Sequence, residues 1–204
     1  MVQLECYHGT SYENAQHILM EKRFLPSRDK EGLRLGEGAY FFCRGGLEEY
    51  AIDCARQLEL FHGEVGKHKG EYAILSCLVE CKDDELFDMY DPAAMEVFHK
   101  MRHYLYSQHL NKDPDFTFQS AAAADTETIN YIRRSSNISV VKCPQFFGML
   151  SKEKHFYFSK GARQFPKTFV PNVIIACVDT QKVRIRDIRL IDKGVLQNGS
   201  SKAV

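Results

Sequence analysis

The sequence predicts a single α+β domain, and three observations favour this class. Residues 72–79 and 172–178 are nearly all apolar, which is typical of buried central strands. Residues 93–110 carry apolar side chains at helical spacing. The predicted strands do not alternate regularly with helices, which argues against a parallel sheet of βαβ units. A chain of 204 residues is also long enough for one domain to bury a substantial core.

The chain begins with a predicted strand and helix. Residues 4–8 form a short strand that ends at Gly9, and Thr10 and Ser11 follow it. Either hydroxyl can accept a hydrogen bond from a backbone N–H and cap the next helix. That helix is predicted to end near residues 24–26, where a proline stops it.

A polar turn with two glycines, Gly36 and Gly38, then runs directly into an aromatic strand. Glycine can adopt backbone angles closed to other residues and allows a ligand to approach closely. Because side chains alternate along a strand, we expect Tyr40 and Phe42 to point to one face and Phe41 to the other. On this stretch alone an aromatic core strand after a tight turn is the favoured interpretation, because a single glycine pair does not define a site.

An amphipathic helix is predicted after the glycine pair at 45–46, and the strand at 72–79 follows it. Its apolar residues are expected to face the core, and they are Leu47, Tyr50, Ala51, Cys54, Leu58 and Phe61.

The second half is predicted to hold both helices and strands. In order they are an acidic turn at 81–92, helices at 93–110 and 121–134, a strand at 138–142, an irregular stretch at 143–171 with a strand at 155–158, and strands at 172–178 and 181–191. The apolar alternation slips by one residue near Asp187, which indicates a bulge. We expect one domain over residues 1–193, with a helical insertion at about 93–135 and a polar tail at 194–204.

Composition narrows the classes of function. Lysine plus arginine and aspartate plus glutamate both number 27, so no net charge attracts nucleic acid or an anionic membrane. No apolar run is long enough to span a bilayer, and residues 1–5 lack the features of a signal peptide. The seven cysteines lack zinc-site spacing, so no metal is predicted, and their odd number fits reduced thiols in the cytoplasm.

Two motifs, Tyr-His-Gly-Thr at 7–10 and Gly-Glu-Gly-Ala-Tyr-Phe at 36–41, resemble the ADP-ribosyltransferases of the diphtheria toxin and poly-ADP-ribose polymerase type. In that family a strand ends in His-Gly-Thr, a helix follows, and a Gly-x-Gly-x-Tyr-Phe strand supplies a tyrosine. The resemblance covers roughly residues 4–80 and 170–191, and the middle of the chain has no match. It implies a split β-sheet core, two small packed sheets flanked by helices, with an NAD cleft between them.

The resemblance also implies NAD as co-substrate. The flat nicotinamide ring would stack on Tyr40, and the backbone of Gly9 would supply a donor and an acceptor to its carboxamide. His8 would donate to a ribose hydroxyl, and Arg34 would pair with a pyrophosphate oxygen. The predicted cofactor-binding set is Tyr7, His8, Gly9, Thr10, Arg34, Gly38, Tyr40 and Asn172.

The implied reaction cleaves the nicotinamide–ribose bond through an oxocarbenium-like state. The predicted catalytic residues are His8, Tyr40 and Glu153. The family normally has a glutamate at the start of its late strand, but residues 171–173 contain none. Asn172 can accept a hydrogen bond there without carrying charge. Glu153, in the preceding loop, is the candidate base.

These inferences predict an NAD-dependent mono-ADP-ribosyltransferase that modifies a macromolecule, either a protein or a nucleic acid. A free-standing catalytic domain of this kind resembles a bacterial toxin or defence effector, for which an antitoxin or regulatory protein would be a partner. One alternative is an inactive relative that binds NAD, ADP-ribose or a protein. Another is an RNA 2′-phosphotransferase-like enzyme, since that family shares the His-Gly-Thr start.

Simpler interpretations of the same residues remain open. A histidine that ends a strand is often a packed structural side chain. Arg34 and Glu153 would then be solvated surface charges. Two further hypotheses concern a nucleic-acid acceptor: Arg133, Arg134 and Lys142 would form a basic patch, and Tyr104 and Tyr106 would stack on bases.

Overall fold

The computed structural model of this chain describes residues 1–27, 35–44, 48–64, 66, 69–145 and 173–196. Its elements are, in chain order, β1 (Val2–Ser11), α1 (Tyr12–Glu21), β2 (Ala39–Cys43), α2 (Glu48–Glu64), β3 (Glu71–Cys81), β4 (Leu86–Asp88), α3 (Pro92–Lys112), α4 (Ala121–Ser135), β5 (Val140–Gln145), β6 (Val173–Val178) and β7 (Arg184–Val195). A 3-10 turn, Asp83–Glu85, precedes β4. The mixture of helices with a largely antiparallel sheet is compatible with the α+β class.

The strands form one sheet in the order β4-β5-β6-β2-β1-β3-β7. Every neighbouring pair is antiparallel except β4 with β5. The expectation of two separate small sheets is therefore wrong, because β1 and β2 join the two halves. The junction is narrow, since β1 pairs with β3 along its whole length but with β2 at only two positions, Cys6↔Cys43 and Tyr7↔Phe42.

The sheet has a hydrophobic cluster on each face. Helices α2, α3 and α4 cover the face that receives Tyr7 and Phe42, with Tyr40 packed at its margin. Helix α1 covers the opposite face, where Cys6 and Phe41 are buried. The predicted alternation along β2 is confirmed. We call these two surfaces the α2 face and the α1 face.

Helix boundaries follow the local capping chemistry. The side chain of Ser11 accepts a hydrogen bond from the backbone N–H of Asn14 at 3.3 Å, as predicted for the first helix. That helix ends at Glu21, earlier than expected, because Lys22 adopts left-handed backbone angles with φ of 53°. Phe24 follows the helix and is buried. Ser120 caps α4 in the same way as Ser11.

Helix α2 buries most of its predicted face, since Leu58 packs partly against the core, and Phe61 is the exception. Ala51 and Cys54 are buried as expected, but Phe61 is 37% exposed. The buried stripe continues through Ala55 and Glu59 at a spacing of four residues, which turns the face holding Phe61 outward. The predictions for Leu47 and for the side chain of Tyr50 lie outside the described part of the chain.

The helical insertion and the last strand match most of their predictions. Phe98 and Leu105 on α3 are buried, and Met95 and Met101 pack partly against the same cluster. In β7 the sheet register shifts beside Asp187, whose φ is 56°, which confirms the bulge. The strand expected at 155–158 lies outside the described residues. Among the described helices, none has the length and apolar composition required to cross a bilayer.

The described structure continues past the expected start of the tail. Strand β7 ends at Val195, and the next residue, Leu196, is only 4% exposed. The backbone N–H of Leu196 donates to the carbonyl oxygen of Gly70 at 2.7 Å, and the Leu196 side chain packs against Gly63. Leu196 therefore belongs to the core.

Leu196→Ala is expected to lower the free energy of unfolding by about 2–5 kcal/mol, because it removes a buried side chain that its neighbours cannot replace. Val195→Ala is the matched control, since Val195 is 68% exposed. Urea unfolding of both variants measures the difference. Equal stabilities would show that the chain beyond residue 194 adds nothing to the core.

Candidate functional site

The candidate site lies where β1 and β2 separate. Within these two fully described strands the ladder ends at Tyr7↔Phe42, although β1 runs on to Ser11 and β2 begins at Ala39. Had the ladder continued, the next pairs would have been His8 opposite Phe41 and Gly9 opposite Tyr40. The strands separate instead, and we call the place between Gly9 and Tyr40 the opening.

The backbone of Gly9 faces this opening. The N–H of Arg44 donates to the carbonyl of Glu5, so the odd-numbered residues of β1 direct their peptide groups toward β2. Peptide groups two residues apart along a strand point to the same side. The N–H and C=O of Gly9 are therefore directed at the opening. A donor and an acceptor side by side match a primary carboxamide.

His8 bridges the opening with its side chain. Its Nδ1 lies 2.8 Å from the carbonyl oxygen of Tyr40. A carbonyl only accepts hydrogen bonds, so Nδ1 carries the proton, and in the neutral imidazole Nε2 is an acceptor. A neutral His8 would therefore accept a hydrogen bond from a ribose hydroxyl, whereas the donation that the resemblance implies requires the imidazolium.

The His8 ring is also packed on the α1 face. Its ring centroid lies 5.2 Å from that of Phe24 and 5.5 Å from that of Phe41. The side chain is half-buried. His8 thus combines the structural role of a packed histidine with a position at the edge of the opening, so truncation to alanine would disturb both.

Gly9 also allows helix α2 to approach the strand. A Cβ at this position would lie 2.8 Å from the carbonyl oxygen of Ala55 and 2.8 Å from Cγ of Glu59. Glu59 is 1% exposed, and its Oε1 lies 3.2 Å from Nδ1 of His62. A buried carboxylate therefore lies beside Gly9. Sequence reasoning missed it, although one glutamate on an otherwise apolar helical stripe was the available signal.

Tyr40 folds back onto its own turn. Its hydroxyl donates to the carbonyl of Gly36 at 2.8 Å and accepts from the N–H of Leu35 at 3.1 Å. Burial, followed by the nearby Cys177 thiol, raises the pKa of the Tyr40 phenol well above its usual value. The ring points to the α2 face, the side toward which the absent Cβ of Gly9 would point.

The glycine turn is held from two sides. Gly36 has φ of 80°, and a Cβ there would lie 2.5 Å from Oδ1 of Asn130. Gly38 has φ of 154°, and a Cβ there would lie 2.6 Å from the carbonyl of Val178. Both positions therefore require glycine. The reason is contact with α4 and β6, so the structure explains these glycines without a ligand.

Two residues of α4 hold the peptide groups of Glu37. Oδ1 of Asn130 accepts from the Glu37 N–H at 3.1 Å, and Arg133 donates to the Glu37 carbonyl. A second nitrogen of Arg133 donates to the Cys177 carbonyl at 2.7 Å. Sequence reasoning missed this contact because the insertion matched no motif. The i, i+3 spacing of the two polar residues on one helical face was the only signal.

The structure separates the other predicted site residues into two groups. Tyr7 is 3% exposed and paired with Phe42, so its side chain belongs to the core on the α2 face. Thr10 is also buried. The predicted residues Arg34, Glu153 and Asn172 lie outside the described part of the chain.

The proposed basic patch is wrong for two of its three members. Arg133 binds backbone carbonyls, and Nζ of Lys142 lies 2.7 Å from Asp88. Only Arg134 is exposed. Tyr104 and Tyr106 are 44% and 37% exposed, so they remain accessible.

In the described ranges no group of three or more histidine, cysteine, aspartate or glutamate side chains could hold a metal ion. Comparisons of the chain with protein-family models, with curated proteins and with solved structures find no match. Function is therefore inferred from the geometry of the opening.

Tyr40→Phe is expected to lower the free energy of unfolding by about 1–3 kcal/mol at neutral pH, because Leu35 N–H and Gly36 C=O lose a buried partner. The raised pKa means that the folded state binds the phenol proton more tightly. The stabilisation by the Tyr40 hydroxyl is therefore complete below about pH 10, the ordinary pKa of tyrosine, and is lost as the pH rises further.

Urea titrations of wild type and Tyr40→Phe between pH 7 and 11 test this expectation. The gap in stability should narrow above about pH 10. A gap that stays constant, or is absent at neutral pH, would contradict the buried position of the hydroxyl.

Proposed function

We propose that this protein is an NAD-dependent mono-ADP-ribosyltransferase. The single observation that carries the proposal is the orientation of the Gly9 peptide groups toward the opening between β1 and β2. The nicotinamide carboxamide would donate to the Gly9 carbonyl and accept from its N–H. The ring would then lie across the opening beside Tyr40, whose side chain projects to the α2 face. His8, at the edge of the opening, would accept a hydrogen bond from a ribose hydroxyl.

The proposed reaction breaks the bond between nicotinamide N1 and ribose C1′. The bonding electron pair leaves with nicotinamide, and positive charge develops on the ribose. A nucleophile of the acceptor then bonds to C1′ and loses its proton to a base. We retain Glu153 as the candidate base and Asn172 as a candidate ribose ligand, on the basis of the family resemblance alone. The proposed acceptor is a protein or nucleic acid, as for a toxin or defence effector.

A second candidate function is an inactive module that binds NAD or ADP-ribose. Two observations favour it. The His8 ring packs against Phe24 and Phe41, and the Tyr40 hydroxyl makes hydrogen bonds within its own turn, so both side chains stabilise the fold. Such a module would bind NAD without releasing nicotinamide. Release of nicotinamide from NAD therefore separates the two candidates, and it can be measured without a known acceptor.

The variants His8→Asn and His8→Gln separate the two nitrogens of the imidazole. An asparagine amide nitrogen is bonded to Cγ, as Nδ1 is, so His8→Asn keeps the donor to Tyr40 and removes Nε2. Both variants lose the ring packing against Phe24 and Phe41, so both should melt below wild type. His8→Gln also loses the Nδ1 contact, so it should be less stable than His8→Asn by about 1 kcal/mol. We expect His8→Asn to release nicotinamide about 10- to 100-fold more slowly than wild type.

The assay follows nicotinamide release from labelled NAD, alone and with cell lysate. Protease and nuclease digestion of the labelled lysate then identify the class of acceptor. If His8→Asn releases nicotinamide at the wild-type rate, the proposed hydrogen bond between Nε2 and the ribose is wrong. Binding of NAD without any release would leave the binding module as the function.

A further inference from the structure

We propose that Asn130 and Arg133 are positioning residues for the nicotinamide end of the site. They belong to the helical insertion, which carries no recognisable motif, and they hold the turn on which Tyr40 depends. This inference rests on the proposed function, because it assigns the insertion a part in binding nicotinamide. It concerns geometry alone, since neither side chain is placed in contact with the reacting atoms.

The first step is the direct contact between α4 and the turn. Asn130 accepts from the Glu37 N–H at 3.1 Å, and the missing side chain of Gly36 leaves room for the amide. Arg133 lies one helical turn further on and donates to the Glu37 carbonyl. One residue of the turn is thus held by both of its peptide groups, and its side chain is exposed. A loop fixed in this way has little freedom to change its backbone angles.

The second step links the turn to the sheet. Arg133 also donates to the carbonyl of Cys177 at 2.7 Å, and Cys177 is the ladder partner of Tyr40 in β6. One guanidinium group therefore joins the turn to the strand beside Tyr40. Its Nε is buried without a hydrogen-bond partner among the described residues.

The third step runs from the turn to the Tyr40 ring. The hydroxyl is held by Leu35 N–H and Gly36 C=O, the two residues immediately before Glu37. If the Glu37 peptide moves, these partners move with it. The ring would then lose its fixed position on the α2 face. Small displacements of this kind are expensive, since misplacement by about 1 Å can cost about 100-fold in rate.

The test uses two altered positions and a matched control. Asn130→Ala removes the acceptor for the Glu37 N–H, whereas Asn130→Asp keeps an oxygen in the same place. Arg133→Gln removes the bridge to Cys177, and Arg133→Lys replaces it if the glutamine variant does not fold. Arg134→Gln is the control, because it changes the neighbouring exposed arginine.

Two readouts are needed because a purely structural role would alter melting alone. The first is the NMR signal of Tyr40 in protein labelled at tyrosine Cζ, assigned by its loss in Tyr40→Phe. The second is the affinity for nicotinamide, measured by calorimetry. In Asn130→Ala and Arg133→Gln we expect the Tyr40 signal to move toward that of exposed tyrosine. We expect the dissociation constant for nicotinamide to rise about tenfold or more. Asn130→Asp and Arg134→Gln should resemble wild type in both.

The outcomes separate this inference from the proposed function. A wild-type protein that binds nicotinamide, with folded variants that bind it equally well, would overturn the inference and leave the function standing. An unmoved Tyr40 signal in both variants would overturn it as well. If the wild type neither binds nicotinamide nor cleaves NAD, the proposed function fails and the positioning role is overturned with it. The Tyr40 signal still decides whether α4 holds the turn.

Discussion

The end of the ladder between β1 and β2 is the constraint on which the candidate site depends. Two cross-strand pairs hold the halves of the sheet together, and the strands then separate. Separation exposes peptide groups that a continuing sheet would have paired, which is costly unless something else satisfies them. The imidazole of His8 satisfies the Tyr40 carbonyl. A small polar ligand such as a carboxamide would complete the arrangement at Gly9.

Sequence patterns predicted the elements that depend on local physics. Alternation along residues 39–43, the cap at Ser11 and the bulge at Asp187 each follow from a few neighbouring residues, and the structure contains all three. The joining of the strands into one sheet was not predictable, since it depends on pairing between residues far apart in sequence. The outward position of Phe61 was missed for the same reason: it depends on how α2 crosses the sheet at Gly9.

The candidate site was predictable only where a motif carried it. His8, Gly9 and Tyr40 lie around one opening, as the motifs implied, but their side chains use different faces of the sheet. The contacts of Asn130 and Arg133 with the turn span more than 90 residues of sequence, so their i, i+3 spacing could not show what they bind. Helix α4 of the unmatched insertion thus contacts both the glycine turn and strand β6.

The most direct test of the central claim observes the Gly9 amide itself. The pair His-Gly occurs twice, at residues 8–9 and 62–63, so labelling histidine carbonyl carbon with ¹³C and glycine nitrogen with ¹⁵N selects two amide signals. Gly63 packs against Leu196 and serves as an internal control. On titration with nicotinamide, the account predicts that the Gly9 signal moves in a saturable way while the Gly63 signal stays in place. A Gly9 signal unmoved by both nicotinamide and NAD would contradict the account.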